Sequence, residues 1–115
     1  MKMNRSEVWR VRFDPAEGDE IKKIRTAVIV SVRSVGRLRL RIVVPITEWK
    51  TRYENFPWFV HLFPNEVNGL TKESGADAFQ VKSISETRFV EYLGTLTTDE
   101  MEDIATAISV CVGAQ

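Results

Sequence analysis

Ala27-Val28-Ile29-Val30-Ser31-Val32 is a continuous apolar run, rich in β-branched residues and lacking a polar face. A run of this kind suits a strand covered on both sides and so predicts the centre of a sheet. N-terminal to it, Trp9, Val11 and Phe13 alternate with Arg10 and Arg12, the period of a half-buried strand over Val8–Phe13 that stops at Asp14-Pro15. C-terminal to it, Gly36 allows a turn. Leu38, Leu40, Ile42 and Val44 then alternate with Arg37, Arg39 and Arg41, and this strand is predicted to end at Pro45-Ile46-Thr47. The three arginines form one face, expected to be solvated.

Between the first two strands, Ala16–Lys23 is charged and aperiodic around Gly18, which makes it a candidate site loop. Glu48–Pro57 is polar apart from Trp49, Tyr53 and Phe56, and predicts a long mobile loop. Trp58–Phe63 reads as a strand closed by Pro64, and Asn68-Gly69 as a tight turn. Ala76–Ile84 is expected to be one further strand, followed by a turn or short helix near Ser85–Phe89 and a last strand over Val90–Leu96. Thr97 with Glu100 forms a capping box. Met101, Ile104, Ala105, Ile108, Cys111 and Val112 then recur at helical spacing until Gly113, with Cys111 expected to be a packed thiol. Asp99, Glu102 and Asp103 lie near the helix start, where the dipole favours them. The expected fold is mainly β with one C-terminal α-helix, the strands mostly antiparallel and curled into a small barrel against that helix.

The 115 residues, 43% hydrophobic and 28% charged, fit one domain over 1–115. No apolar run has the length of a membrane span, and Glu7 and Asp14 interrupt the stretch that a signal peptide would need, so a cytoplasmic protein is expected. A single cysteine excludes an internal disulfide and a cysteine-rich zinc cage. A single histidine, His61, excludes any mechanism built on two imidazoles, so a hydrolase of this composition must transfer protons otherwise. Net charge is zero, yet residues 1–60 hold 13 basic and 7 acidic side chains, whereas residues 61–115 hold 3 and 9. The split allows either a basic surface on one side of the fold or interleaved strands that mix the charge.

The chain contains no glycine-rich phosphate loop, no pair of histidines at metal spacing and no Gly-x-Ser-x-Gly elbow. Two residues stand out by position. Arg25 joins the charged loop to the apolar strand, and Thr47 lies at the end of the next strand. A guanidinium fork and a hydroxyl both donate to a phosphate oxygen, and the arginine keeps its charge at any relevant pH. By strand phase His61 is either an exposed strand residue or a hydrogen-bonded interior one. Trp49, Tyr53, Phe56 and Trp58 could stack on bases of a single strand or serve loop packing or dimer contact; packing or dimer contact is favoured for Trp58.

Val8-Trp9 with Phe13-Asp14-Pro15, then Gly18-Asp19-Glu20 and Ile24-Arg25-Thr26-Ala27-Val28-Ile29-Val30, resembles the opening half of the MazF/PemK toxin family. Val43-Val44-Pro45-Ile46-Thr47, Asn68-Gly69-Leu70, Gln80-Val81-Lys82-Ser83-Ile84 and Leu93-Gly94-Thr95-Leu96 extend the resemblance in order along almost the whole chain. It implies the SH3-like small barrel of the MazF/PemK/CcdB type. It also implies a homodimer that acts as the toxin of a type II toxin–antitoxin pair, cutting single-stranded mRNA by 2′-hydroxyl attack with no metal or other cofactor. The implied catalytic residues are Arg25, which stabilises phosphorane charge and helps move protons, and Thr47, which hydrogen-bonds the phosphate. Glu20 and Gln80 match polar positions beside the RNA path, and Lys22, Lys23 and Lys82 are expected phosphate contacts on charge alone. The implied partner is an antitoxin whose flexible acidic tail blocks the RNA groove. Thr26 replaces a proline usual after the arginine, Asp19 stands where serine is common, Phe79 where an acid is common, and Ser6 where glycine is frequent. The alternative is a non-cleaving binding module on the same fold, either a gyrase poison or a degenerate toxin keeping only its antitoxin and dimer contacts; the terminal Val112-Gly113-Ala114-Gln115 lacks the aromatic end that a gyrase anchor favours.

Overall fold

The computed structural model describes residues 3–13, 24–33 and 39–114. The expected stop at Asp14-Pro15, the loop Ala16–Lys23 and the turn at Gly36 with Arg37 and Leu38 lie outside them. The central run forms β2, Ile24–Ile29, which begins three residues before the expected strand and ends three before its close. β1, Glu7–Arg12, pairs antiparallel with it, Val8 opposite Val28 and Arg12 opposite Ile24. β3, Leu40–Glu48, pairs on the other side. Val28, Ile29, Val43 and Val44 are fully buried because both faces of these strands are covered. One layer joins Val8, Val28 and Val44 to Leu62, Met101 and Ile104; the other joins Trp9, Val11, Ala27, Ile29 and Val43 to Ile84.

β3 does not stop at Pro45–Thr47 as expected but continues to Glu48. Its outer edge has two partners: β6, Lys82–Ser85, along Leu40–Val43, and β5, Ser74–Asp77, along Ile46–Glu48. Val30 N–H donates to the Ile42 carbonyl at 2.9 Å, and antiparallel alternation from that bond makes Ala27 and Pro45 a non-hydrogen-bonded pair. The Pro45 nitrogen therefore faces the gap between β5 and β6, where no ladder bond is lost. That gap also corrects the single strand expected over Ala76–Ile84. A 3₁₀ turn, Ala78–Gln80, divides it, started by the Asp77 carboxylate accepting from Phe79 N–H at 3.2 Å.

The segment expected to be a mobile loop, Glu48–Pro57, instead holds a 3₁₀ helix, Thr51–Asn55, whose Tyr53 ring stacks on Phe59 at 3.9 Å. β4, Phe59–Leu62, pairs with β5, and a 3₁₀ turn over Glu86–Arg88 leads into β7, Phe89–Thr95, which pairs with β1. The seven strands of the described residues form one antiparallel sheet in the order β4-β5-β3-β2-β1-β7, with β6 also on β3. Among the described residues β4 and β7 are not hydrogen-bonded to each other, so the sheet is open rather than a closed barrel. Pairing of β1 with β7 interleaves the two halves of the chain, and Arg10 meets Glu91 at 3.9 Å. Arg41 is not the solvated residue expected of its face: its Nε donates to the Met3 carbonyl at 2.9 Å and its Nη2 pairs with Glu86 at 2.9 Å.

The C-terminal helix α1, Thr98–Val112, follows its signals closely. Thr97 Oγ1 accepts from Glu100 N–H at 3.1 Å, Thr97 N–H donates to Glu100 Oε1 at 2.8 Å, and Gly113 ends the helix at φ 70°. Met101, Ile104 and Ala107 are buried, whereas Ala105 and Val112, expected on the stripe, are exposed. Partial burial, and then the charge of Asp77, raise the Cys111 thiol pKa above its usual value.

Asn68 is completely buried and organises the turn after β4. Its Nδ2 donates to the Phe63 carbonyl at 2.9 Å, and its Oδ1 accepts from Leu70 N–H at 2.9 Å and Asn65 N–H at 3.2 Å. Replacing Asn68 by alanine leaves these part-buried backbone groups without partners and empties a fully buried site, so chemical denaturation is expected to show a loss of about 3 kcal/mol. A loss below about 1 kcal/mol would contradict this role.

Candidate active site

The last paired residues of β2 and β3 at this end are Thr26 and Ile46. One step beyond that last pair, Arg25 and Thr47 follow on the two strands, outside the ladder. Here the strands part, and an open cleft of about 240 Å³ lies at the parting. Arg25 and Thr47 both line it, together with Arg10, Lys72, Thr26 and Thr71. Arg25 is exposed and Thr47 half-buried. The Asn68-Gly69 turn delivers Leu70–Lys72 to the far wall.

The cleft thus gathers three cations and, with Ser74, four hydroxyls around one open space. Its carboxylate, Glu48, pairs with Lys72 at 3.3 Å, and Arg10 approaches Glu91 at 3.9 Å. Both pairs are solvated and weak, leaving the cations free to exchange partners for an anion. An arginine on a paired strand beside a hydroxyl supplies oriented donors to a phosphate oxygen, and such donors stabilise charge that develops during reaction. Among the described residues no group of three His, Cys, Asp or Glu side chains is arranged to hold a metal ion.

The other candidates separate. Gln80 does not line the cleft; its Nε2 donates to the Asp77 carboxylate at 2.8 Å, two residues along β5 from Gly75, which pairs with Thr47. Lys82 lies farther off, opposite Val43, with Nζ 4.8 Å from the centre of the Phe13 ring. Glu20, Lys22, Lys23 and Asp19 lie outside the described residues. Arg10, Thr71 and Lys72 were not among the candidates. Arg10 could have been found from its pairing with Thr26, since the alternation of β1 and β2 was legible; Lys72 and Thr71 reach the cleft only through the buried Asn68 turn, which no periodicity signals.

His61 proves to be a half-exposed residue whose Nε2 meets the Glu73 carboxylate. Its ring stacks on Trp49 at 3.7 Å, the planes 8° apart. Trp58 packs on Phe56 at 4.7 Å, consistent with the packing role expected for it. No helix among the described residues is long and apolar enough to cross a membrane.

Residues 4–112 match the family model described as PemK-like, MazF-like toxin of type II toxin-antitoxin system. Endoribonuclease MazF9 of Mycobacterium tuberculosis is 30% identical over 114 residues, with 94% of each chain covered. Among solved structures, a MazE–MazF complex from Deinococcus radiodurans superposes with a TM-score of 0.78 at 21% identity over the whole of both chains. An endoribonuclease in complex with its cognate antitoxin, from a mycobacterial species, superposes at 0.73 and 23% identity over 97% of this chain and 96% of that one.

Proposed function

The chain belongs to the PemK-like, MazF-like family of toxins of type II toxin–antitoxin systems, and on that premise we propose that it is a metal-independent endoribonuclease that cuts single-stranded mRNA at the Arg25/Thr47 cleft. The observation that carries this reading is the meeting of Arg25 and Thr47, from two strands, in one cation-lined cleft. The ribose 2′-oxygen attacks the adjacent phosphorus as its proton is withdrawn, the bond from phosphorus to the 5′-oxygen breaks, and that oxygen leaves with a proton. The products are a 2′,3′-cyclic phosphate and a 5′-hydroxyl. Arg25 holds the added negative charge of the phosphorane and assists the proton transfers, while Thr47 donates to a phosphate oxygen. Arg10 and Lys72 draw the backbone into the cleft. Glu20 and Gln80 organise the RNA path, and Lys22, Lys23 and Lys82 contact phosphates beyond the cleaved bond.

The proposed protein is a single toxin domain over 1–115 on an SH3-like sheet, cytoplasmic and homodimeric, restrained by an antitoxin whose acidic segment competes with RNA for the same cations. The relatives solved with MazE or a cognate antitoxin support such a partner. The test is incubation of a long unstructured transcript with the purified protein in EDTA, followed by mapping of the ends. Cleavage at a short recurring sequence, leaving cyclic phosphate and 5′-hydroxyl ends, is expected. Intact RNA, or 5′-phosphate ends, would overturn the proposal.

A further inference from the structure

Beside Thr47, on the same sheet face, stands a column of stacked rings whose outermost member is open. Trp49 follows Thr47 by two residues, just past the end of β3; His61 lies opposite Gly75, which lies opposite Thr47, so His61 and Thr47 share a face. The His61 ring is parallel to Trp49 at 3.7 Å, and Phe63 continues the stack at 4.4 Å and 26°. Gly75 is what lets the rings lie down on the sheet, since a Cβ there would come within 3.0 Å of both Trp49 and Phe59.

The column is held from several sides. Glu73 meets His61 through its carboxylate and accepts Trp49 N–H through its carbonyl at 3.0 Å. Asn68 Nδ2 holds the Phe63 carbonyl. Phe63 is nevertheless 58% exposed. A pre-ordered aromatic column ending in an open ring is one layer short of complete, and a nucleobase supplies a layer of the same shape and spacing.

We propose that Phe63 is a base-stacking subsite that takes an unpaired nucleobase of the RNA a short distance along the strand from the cleaved bond. The inference rests on the ribonuclease reading above. Strand spacing and rise put Phe63 about 12 Å from Thr47, within reach of the neighbouring nucleotides of a strand whose phosphate occupies the cleft. Lys72, which lines the cleft, immediately precedes Glu73, which holds the column, so backbone and base would be gripped by consecutive residues. A single open ring has the area of one base and falls far short of the roughly 800 Å² per partner of a stable protein interface.

The test uses the full chain and an RNA made uncleavable by one 2′-deoxynucleotide at the mapped cleavage position, with an abasic residue moved through each flanking position. Wild type should lose about tenfold in affinity at one flanking position. Phe63→Leu, which keeps an apolar side chain but not the ring face, should bind the intact RNA about tenfold more weakly and be indifferent to the abasic residue at that position, whereas Phe63→Trp should bind as wild type. RNA bound equally by wild type and Phe63→Leu would overturn the subsite alone and leave the ribonuclease standing. A wild type that binds no RNA would overturn both. Conversion of a dimer to monomer by Phe63→Leu with RNA affinity unchanged would assign the ring to protein contact and overturn the subsite.

Discussion

Arg25→Ala is expected to lower single-turnover cleavage of RNA by at least about 10³-fold while leaving the fold intact. Removal of one oriented donor to a developing oxyanion costs about 10²–10³ in rate, and a guanidinium that also carries the compensating charge costs more. Arg25 is exposed, and its pairing with Val11 across β1 and β2 is made by the backbone, so truncation of the side chain removes little packing. Thr47→Ala should cost about 10²-fold, because a hydroxyl donates without charge. Arg25→Lys should recover only part of the loss: the ammonium keeps the charge but not the planar fork. Circular dichroism and thermal melting provide the fold control. Cleavage by folded Arg25→Ala at the wild-type rate would remove Arg25 from the chemistry.

A large stability loss from a single methyl is expected at Gly94. It is buried in β7 against the turn from Val67 to Gly69, and a Cβ there would stand 2.2 Å from the Val67 carbonyl oxygen and 2.6 Å from the Asn68 carbonyl carbon. Both obstacles are backbone, and Thr95 N–H donates to the same Val67 carbonyl at 3.0 Å, so relief requires β7 and the turn to separate. Gly94→Ala should therefore cost about 3 kcal/mol or more, a fall of about 10–20 °C in Tm for a domain of this size. Gly113→Ala is the comparison: it has nothing within 4 Å, only a left-handed φ of 70°, and should cost about 1 kcal/mol. A Tm for Gly94→Ala within about 2 °C of wild type would contradict the packing described. Because the displaced turn carries Leu70–Lys72, RNA affinity should fall with it at temperatures where the protein is still folded.

Features written in local periodicity were legible in the sequence. Trp9, Val11 and Phe13 alternating with arginines announced β1, the apolar run after Thr26 announced a strand buried on both faces, and Thr97 with Glu100 marked the helix start to the residue. What could not be read depended on long-range pairing. Pro45 read as part of the closing Pro45-Ile46-Thr47 of its strand, whereas the gap between β5 and β6 that accommodates it inside β3 is a property of the assembled sheet. Ala76–Ile84 looked like one strand for the same reason, its two halves serving separate stretches of one edge of β3. The polar composition of Glu48–Pro57 hid a helical turn held by Trp49 and Tyr53, rings whose partners His61 and Phe59 lie on β4. In the cleft, Arg25 and Thr47 were visible as residues at the ends of neighbouring strands, whereas Lys72 and Thr71 arrive through a turn whose hub, Asn68, reads in sequence only as half of a common Asn-Gly signal. Glu20, Lys22 and Lys23 belong to the segment between Phe13 and Ile24 that lies outside the described residues.

Phosphate chemistry at the Arg25/Thr47 cleft requires the ribose 2′-hydroxyl as nucleophile, a requirement that one pair of substrates isolates. After the cleaved bond has been mapped, the same RNA is prepared with a single 2′-deoxynucleotide on the 5′ side of that bond, and cleavage of the two is followed in parallel in EDTA. The all-ribose RNA should be cut to a cyclic phosphate and a 5′-hydroxyl, while the substituted RNA binds with similar affinity and stays whole. Cleavage of the substituted RNA at the same bond would contradict that requirement, because a nucleophile other than the 2′-oxygen would then be attacking the phosphorus.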